Sequence, residues 1–387
     1  MAMVYLDHSA TTPLDPEVLQ AMLPYLTEEF GNASSVYGLG QRARQAIDQA
    51  RDEAAAFYGV AAKEVIFTSG GTESDNFALR GVATRNADRG RHLITSTIEH
   101  DAVLRCAESL ERDGFEVTRL PVDRRGLVDP DDLRQALRRD TILVSIMHAN
   151  NEVGTIEPIR ELVTVTREQS NAYFHTDAVQ STGKIPTSID ELGVDLLSMS
   201  AHKLHGPKGV GCLVMRSGVR IEPQILGGGH ERNRRAGTEN VAGIVGLAKA
   251  MAIARRDLDR NARQLAGLRD RLIDGLLNRI SGVELTGDPV LRLPHHASFL
   301  FDGVEGESLL LQLDMDGIAA SSGSACTSGS LEPSHVILAL GYPRERALGS
   351  LRLSVGKGNT EGEVDLVLER LPAMVRRLRT MAPTSAA

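Results

Sequence analysis

Short apolar runs alternate along this chain with longer stretches in which apolar residues recur at helical spacing. The runs over 65–68, 92–96, 115–121, 141–147, 172–177 and 194–199, closed by 209–215, predict buried strands. Between them the periodicity predicts helices over 40–58, from about 72, and over 101–113, 130–138 and 159–169. Ahead of these, 5–13 reads as a short extended piece, Asp15-Pro16 as a helix start and 31–35 as a loop. Strands alternating with amphipathic helices imply an α/β fold with a mostly parallel sheet covered on both faces. In such sheets ligands bind beyond the strand ends. A large domain is expected over 16–250. After Gly237 the rhythm changes to a long helix over 241–280, then strand 297–301, helix 307–313, strand 351–355 and helix 361–381. A smaller α/β domain is therefore expected from 1–15 and 251–387, with 383–387 disordered.

Composition narrows the class. The 387 residues are 42% hydrophobic and 24% charged, as in globular proteins. The net charge of -8 argues against direct nucleic-acid binding or a membrane surface. There is no bilayer-length apolar run and no visible signal pattern. The cysteines Cys106, Cys212 and Cys326 are odd in number and lack metal-ligand spacing, which suits a reducing compartment. A cytoplasmic protein is expected.

The candidate chemistry lies where apolar runs end. Lys203 stands between two histidines before a Gly-Pro turn, after the run 194–199. A lysine amine beside other cations or out of water loses its proton readily and can form a Schiff base with a carbonyl; the alternative is a surface loop lysine. Ser69-Gly70-Gly71-Thr72 joins a strand to a helix start, either a phosphate seat or a plain capped turn. Asp177 ends a strand and would keep a heteroaromatic nitrogen protonated, or cap a helix. His100 opens a helix, where its ring could stack on a flat cofactor and move protons. Cys326 lies in a stretch of small residues that leaves its thiol accessible, whereas Cys106 and Cys212 fall in apolar surroundings. An ordinary thiol, with a pKa of about 8.5, is only a few per cent thiolate at pH 7, so Cys326 would need local activation. Arg352, flanked by apolar residues, should meet a carboxylate of protein or substrate.

Taken in order, the motifs Tyr5-Leu6-Asp7-His8-Ser9-Ala10-Thr11-Thr12-Pro13, 68–76, Glu99-His100, Asn150-Asn151-Glu152-Val153-Gly154, 177–180, His202-Lys203, 227–238 and 322–327 span nearly the whole chain. Together they resemble the cysteine desulfurases of the IscS/NifS type, fold-type I pyridoxal phosphate enzymes of the class V aminotransferase family. The resemblance implies that Lys203 holds pyridoxal 5'-phosphate, Asp177 pairs with its ring nitrogen, Gln180 meets its ring hydroxyl and His100 stacks on it. It places the phosphate on Thr72 with the Gly71 and Thr72 backbone, on Ser200 and His202, and on Thr238 of a second copy, hence a homodimer with shared sites. Asn151 and Arg352, with Asn32 nearby, are implied to bind the substrate carboxylate.

The implied reaction converts L-cysteine to L-alanine. Lys203 removes the Cα proton, Cys326 takes the sulfur as a persulfide, and His100 moves protons. The sulfur then passes to an acceptor protein serving iron–sulfur assembly, tRNA thiolation or DNA phosphorothioation. The resemblance also implies that the chain lacks the C-terminal extension by which some relatives dock an iron–sulfur scaffold. The alternatives are a selenocysteine lyase or aminotransferase of the same fold, or a non-enzymatic sulfur carrier.

Overall fold

The computed structural model describes residues 3–322 and 332–381. Cys326 and the stretch 383–387, expected to be disordered, lie outside them.

Strand residues alternate between the two faces of a sheet, so one apolar run can feed two cores. Ile66, Leu93, Leu143, Leu196 and Leu213 join one apolar cluster. Their neighbours Phe67, Ile94, Val144, Leu197 and Val214 join another. Both faces are covered by helices, which is why these strands read as continuous apolar runs. The seven-stranded sheet runs in the order Val65–Thr68, Gly211–Met215, Leu196–Ser200, Tyr173–Asp177, Thr141–Ser145, His92–Ser96, Glu116–Leu120. Its pairs from Leu196–Ser200 to Glu116–Leu120 are parallel. Gly211–Met215 is antiparallel to both its neighbours, a direction that apolar pattern alone does not encode. The parallel strands point their carboxyl ends, and the loops that follow, to one edge.

A second core forms on the antiparallel strands Ser350–Ser354, His296–Phe301 and Val283–Leu285. Val4–Tyr5 pairs in parallel with Ile318–Ala319, and Leu6 packs in the cluster of Phe299 and Leu353. One helix, Val241–Arg279, serves both cores. Ile244 to Ala254 on it pack against the large sheet, and Leu265, Leu268, Leu272 and Leu276 against the small one. It runs unbroken through residue 250, where the sequence pattern ended the larger domain. The short helices Ile189–Leu192, His335–Ala339 and Arg344–Ala347 were not expected, because one turn shows no periodicity. No helix among the described residues is long and apolar enough to cross a membrane.

Candidate active site

The carboxyl-end loops enclose a cleft of about 320 Å³. Gly71, Thr72, His100, Asn151, Asp177, Gln180, Ser200, His202, Lys203 and Arg352 all line it. Most of them follow the end of an apolar strand of the large sheet, whereas Arg352 projects from within the strand Ser350–Ser354 of the small one. Leu196–Ser200 leads into a single turn, Ala201–Lys203. That turn swings the Lys203 amine back onto the N-terminal segment, where it donates to the carbonyls of Ser9 and of Ala10, the latter at 2.8 Å. Val65–Thr68 leads through Gly70 into the helix Gly71–Arg85. Gly70 has φ 150°, a conformation suited to glycine. A Cβ at Gly71 would lie 2.7 Å from Val179 Cγ2, so the helix start can approach the 177–180 loop only without a side chain.

Asp177 Oδ1 accepts the Val179 N–H at 2.8 Å. Burial pushes the Asp177 carboxyl up, opposed by that N–H, by His100 and by Lys203. Beside it lies Asp75, which the sequence reading passed over although it sits three residues after Thr72 on the same helix face. Burial pushes Asp75 well above the usual carboxylate range, and the Asp177 charge pushes it further. His175 Nε2 comes within 3.7 Å of Asp75. Its ring nitrogens are engaged by Ser145 and Ser198 at 2.8 and 2.9 Å, and burial lowers it to about 3, so it supplies no cation. Burial raises both carboxyls and Asp75 the further, while His100 and Lys203 hold Asp177 down, so of the two Asp75 is the one whose protonated form is favoured.

Gln180 Nε2 donates to the Ser9 carbonyl at 3.0 Å. Its buried Oε1 has no hydrogen-bond partner among the described residues. His202 Nδ1 lies 3.0 Å from Thr11 Oγ1, and burial lowers the ring to about 4, so it enters the cleft neutral. Arg352 meets a protein carboxylate: Nη2 donates to Asp7 Oδ1 at 2.8 Å and Nη1 to the Asn151 carbonyl at 2.9 Å. Its buried Nε is unpartnered among the described residues. Asp7 was unexpected, since its partner lies 345 positions away.

Two expected residues do not reach the cleft of their own chain. Asn32 is exposed and accepts the Ser34 N–H at 2.9 Å, and Thr238 is exposed in the glycine-rich loop. Ser34 Oγ lies 3.4 Å from His230 Nε2, so the two loops adjoin. The described chain halts at Ser322 just after Ser321 pairs with Arg352. It resumes at Glu332, which lines a neighbouring cavity of about 360 Å³ together with His100 and Asn151. Cys106 and Cys212 are buried; burial raises Cys106 to about 12 and Cys212 further, so neither is a thiolate at neutral pH.

Residues 4–367 match the aminotransferase class-V family. Cysteine desulfurase IscS of Methanosarcina thermophila is 55% identical over 98% of this chain and 94% of its own length. The solved structure of a NifS-like protein superimposes with a TM-score of 0.91 at 42% identity, covering 97% of this chain and all of that one. A structure of SspA in complex with cysteine gives a TM-score of 0.81 at 34% identity, over 91% of this chain and 98% of that one. The chain belongs to the class-V aminotransferases, a pyridoxal phosphate fold of type I. Within them it is a cysteine desulfurase, a pyridoxal phosphate-dependent enzyme class that takes sulfur from L-cysteine and passes it to acceptors.

Proposed function

We propose that the cleft holds pyridoxal 5'-phosphate on Lys203 and Asp177, and that this chain desulfurates L-cysteine through Cys326 and hands the sulfur to an acceptor protein. The observation that carries this is that Lys203 and the buried Asp177 line one cleft, just beyond the ends of adjacent parallel strands. Three features fit a flat, phosphorylated heteroaromatic ring. Asp177 offers a charge to a ring nitrogen, Gln180 Oε1 is buried without a partner among the described residues, and the side-chain-free turn at Gly70 and Gly71 opens a fifteen-residue helix beside Ser200. The free N–H groups of such a helix start favour a phosphate, with Thr72 and neutral His202 adding polar contacts.

Bound there, the cofactor supplies an electron sink that acidifies the Cα–H of an amino acid. Lys203 Nζ, once neutral, is the base that takes that proton. Asp177 holds the ionised partner charge while Asp75 keeps its proton, so no second negative charge competes. Arg352 and Asn151 seat the substrate carboxylate at the cleft edge. Cys326, as thiolate, attacks the substrate sulfur: an S–S bond forms, the C–S bond breaks with its electrons left on carbon, and alanine leaves once its Cβ is protonated and Lys203 has returned a proton to Cα. The segment bearing Cys326 leaves the described chain beside Arg352 and rejoins it beside His100 and Asn151, which supports this role.

A homodimer is supported by the exposure of Asn32 and Thr238 outside their own cleft, on loops that adjoin through Ser34 and His230. Phe30, Val36 and Tyr37, close in sequence to Asn32, and Leu226, at the start of the glycine-rich loop, are exposed apolar residues that a partner could cover. The test is alanine and sulfide release from L-cysteine, against selenide from L-selenocysteine, in Lys203→Ala and Cys326→Ser. Lys203→Ala should release nothing, and Cys326→Ser should keep the cofactor absorbance yet form no persulfide. Persulfide on Cys106 or Cys212 instead would overturn the choice of thiol.

A further inference from the structure

Lys203 lines two cavities, the cleft and a second of about 50 Å³ shared with His8, His205 and Lys184. Lys184 follows the tight turn in which its N–H bonds the Ser181 carbonyl at 3.0 Å, just past the 177–180 loop. It is only 9% exposed, an unusual place for a lysine. Its amine donates to the main-chain carbonyl of Lys203 at 2.8 Å, its one hydrogen bond among the described residues. Among the described residues no carboxylate compensates it: Asp15, in the same cavity, is taken by Lys357 at 2.8 Å.

We propose that Lys184 is a positioning residue for Lys203. Its amine clamps the Lys203 carbonyl from the small cavity, and its charge, set behind the Lys203 side chain, favours the neutral and reactive form of the Lys203 amine. This rests on the reading of Lys203 as the cofactor-holding base.

The electrostatics agree with that geometry. Burial, and after it the Lys203 charge, lowers Lys184 to about 7. Two sites that repel do so reciprocally, so a charged Lys184 lowers Lys203 in turn. The imidazoles that face Lys184 are His8, His202, His205, His295 and His296, and burial holds every one below its ordinary value. With Lys357 paired, the variable positive charge that the described residues place behind the site is that of the two lysines. When Lys203 is protonated Lys184 tends to be neutral, and when Lys203 is neutral Lys184 takes up the charge.

The test uses the full-length chain freed of cofactor. Acetic anhydride labelling over a pH series, read by peptide mass spectrometry, gives the protonation midpoint of the Lys203 amine. Lys184→Gln removes the cation and should raise that midpoint by about one pH unit, the order expected for one nearby like charge. Lys184→Arg keeps a permanent cation and should leave the midpoint at or below that of the wild type. A purely structural lysine would alter labelling rates or stability without moving the midpoint. An unchanged midpoint in Lys184→Gln, or a raised one in Lys184→Arg, overturns the proposal, and the second arm suffices if Lys184→Gln does not fold. Because no cofactor is present, failure of Lys203 to bind pyridoxal phosphate would sink the functional reading and leave this result standing.

Discussion

His100 Nδ1 accepts the main-chain N–H of Ala102 at 3.1 Å. A ring nitrogen that accepts must offer a lone pair, so the proton of the neutral imidazole sits on Nε2. One residue thus both caps the helix Asp101–Arg112 and brings an N–H to the cleft. Two substitutions separate these tasks. His100→Ala should lose the cap, about 1 kcal/mol in denaturant unfolding. It should also lose turnover by roughly 10²–10⁴-fold in alanine release. His100→Asn should restore the stability and not the turnover.

Arg352 makes its fork with Asp7 and the Asn151 carbonyl inside the cleft wall. Lysine cannot keep both contacts, because its amine is a single point. Arg352→Lys is expected to raise the KM for L-cysteine by on the order of tenfold to a hundredfold, with a smaller change in kcat. A fall in kcat at constant KM would show that Arg352 does not seat the substrate.

Glu99 is fully buried next to His100, accepting from Ser96 Oγ at 2.6 Å and the Met147 N–H at 3.0 Å. Burial raises its carboxyl to about 8. Because folding favours the protonated form, this contribution to stability is complete below the unfolded carboxyl range. It is lost as pH rises towards 8. Glu99→Gln removes that loss and keeps an acceptor for both donors. Its unfolding free energy should match the wild type near pH 4 and exceed it increasingly towards pH 8, by on the order of a few kcal/mol. Protonation of the buried histidines affects both proteins alike, so it cancels in the difference. A gap independent of pH would disprove the assignment.

Gly71 has no room for a side chain against Val179. Gly71→Ala should therefore cost about 1–3 kcal/mol through overpacking and weaken cofactor retention. Val179→Ala in the same chain should recover much of both, read by thermal unfolding and by cofactor absorbance. Recovery of neither would show that the helix start tolerates no other geometry.

Residue order alone carried the sheet's strands, the helices between them, and most of the residues that line the cleft. The physical reason is local. An apolar run must be buried, and the polar residue that ends it must emerge at the sheet's edge, as Asp177, Ser200 and Thr68 do. The ordered motifs also marked the family before any contact was known. Pairing direction, the helix shared between two cores, and the charge state of the cleft were decided only by tertiary structure. Arg352 finds Asp7 across 345 positions, Lys184 finds a carbonyl 19 residues on, and Asp75 meets Asp177 only after the helix Gly71–Arg85 packs on the sheet. A carboxyl's protonation depends on what surrounds it once water is gone, and neighbours that distant in sequence leave no local pattern to read.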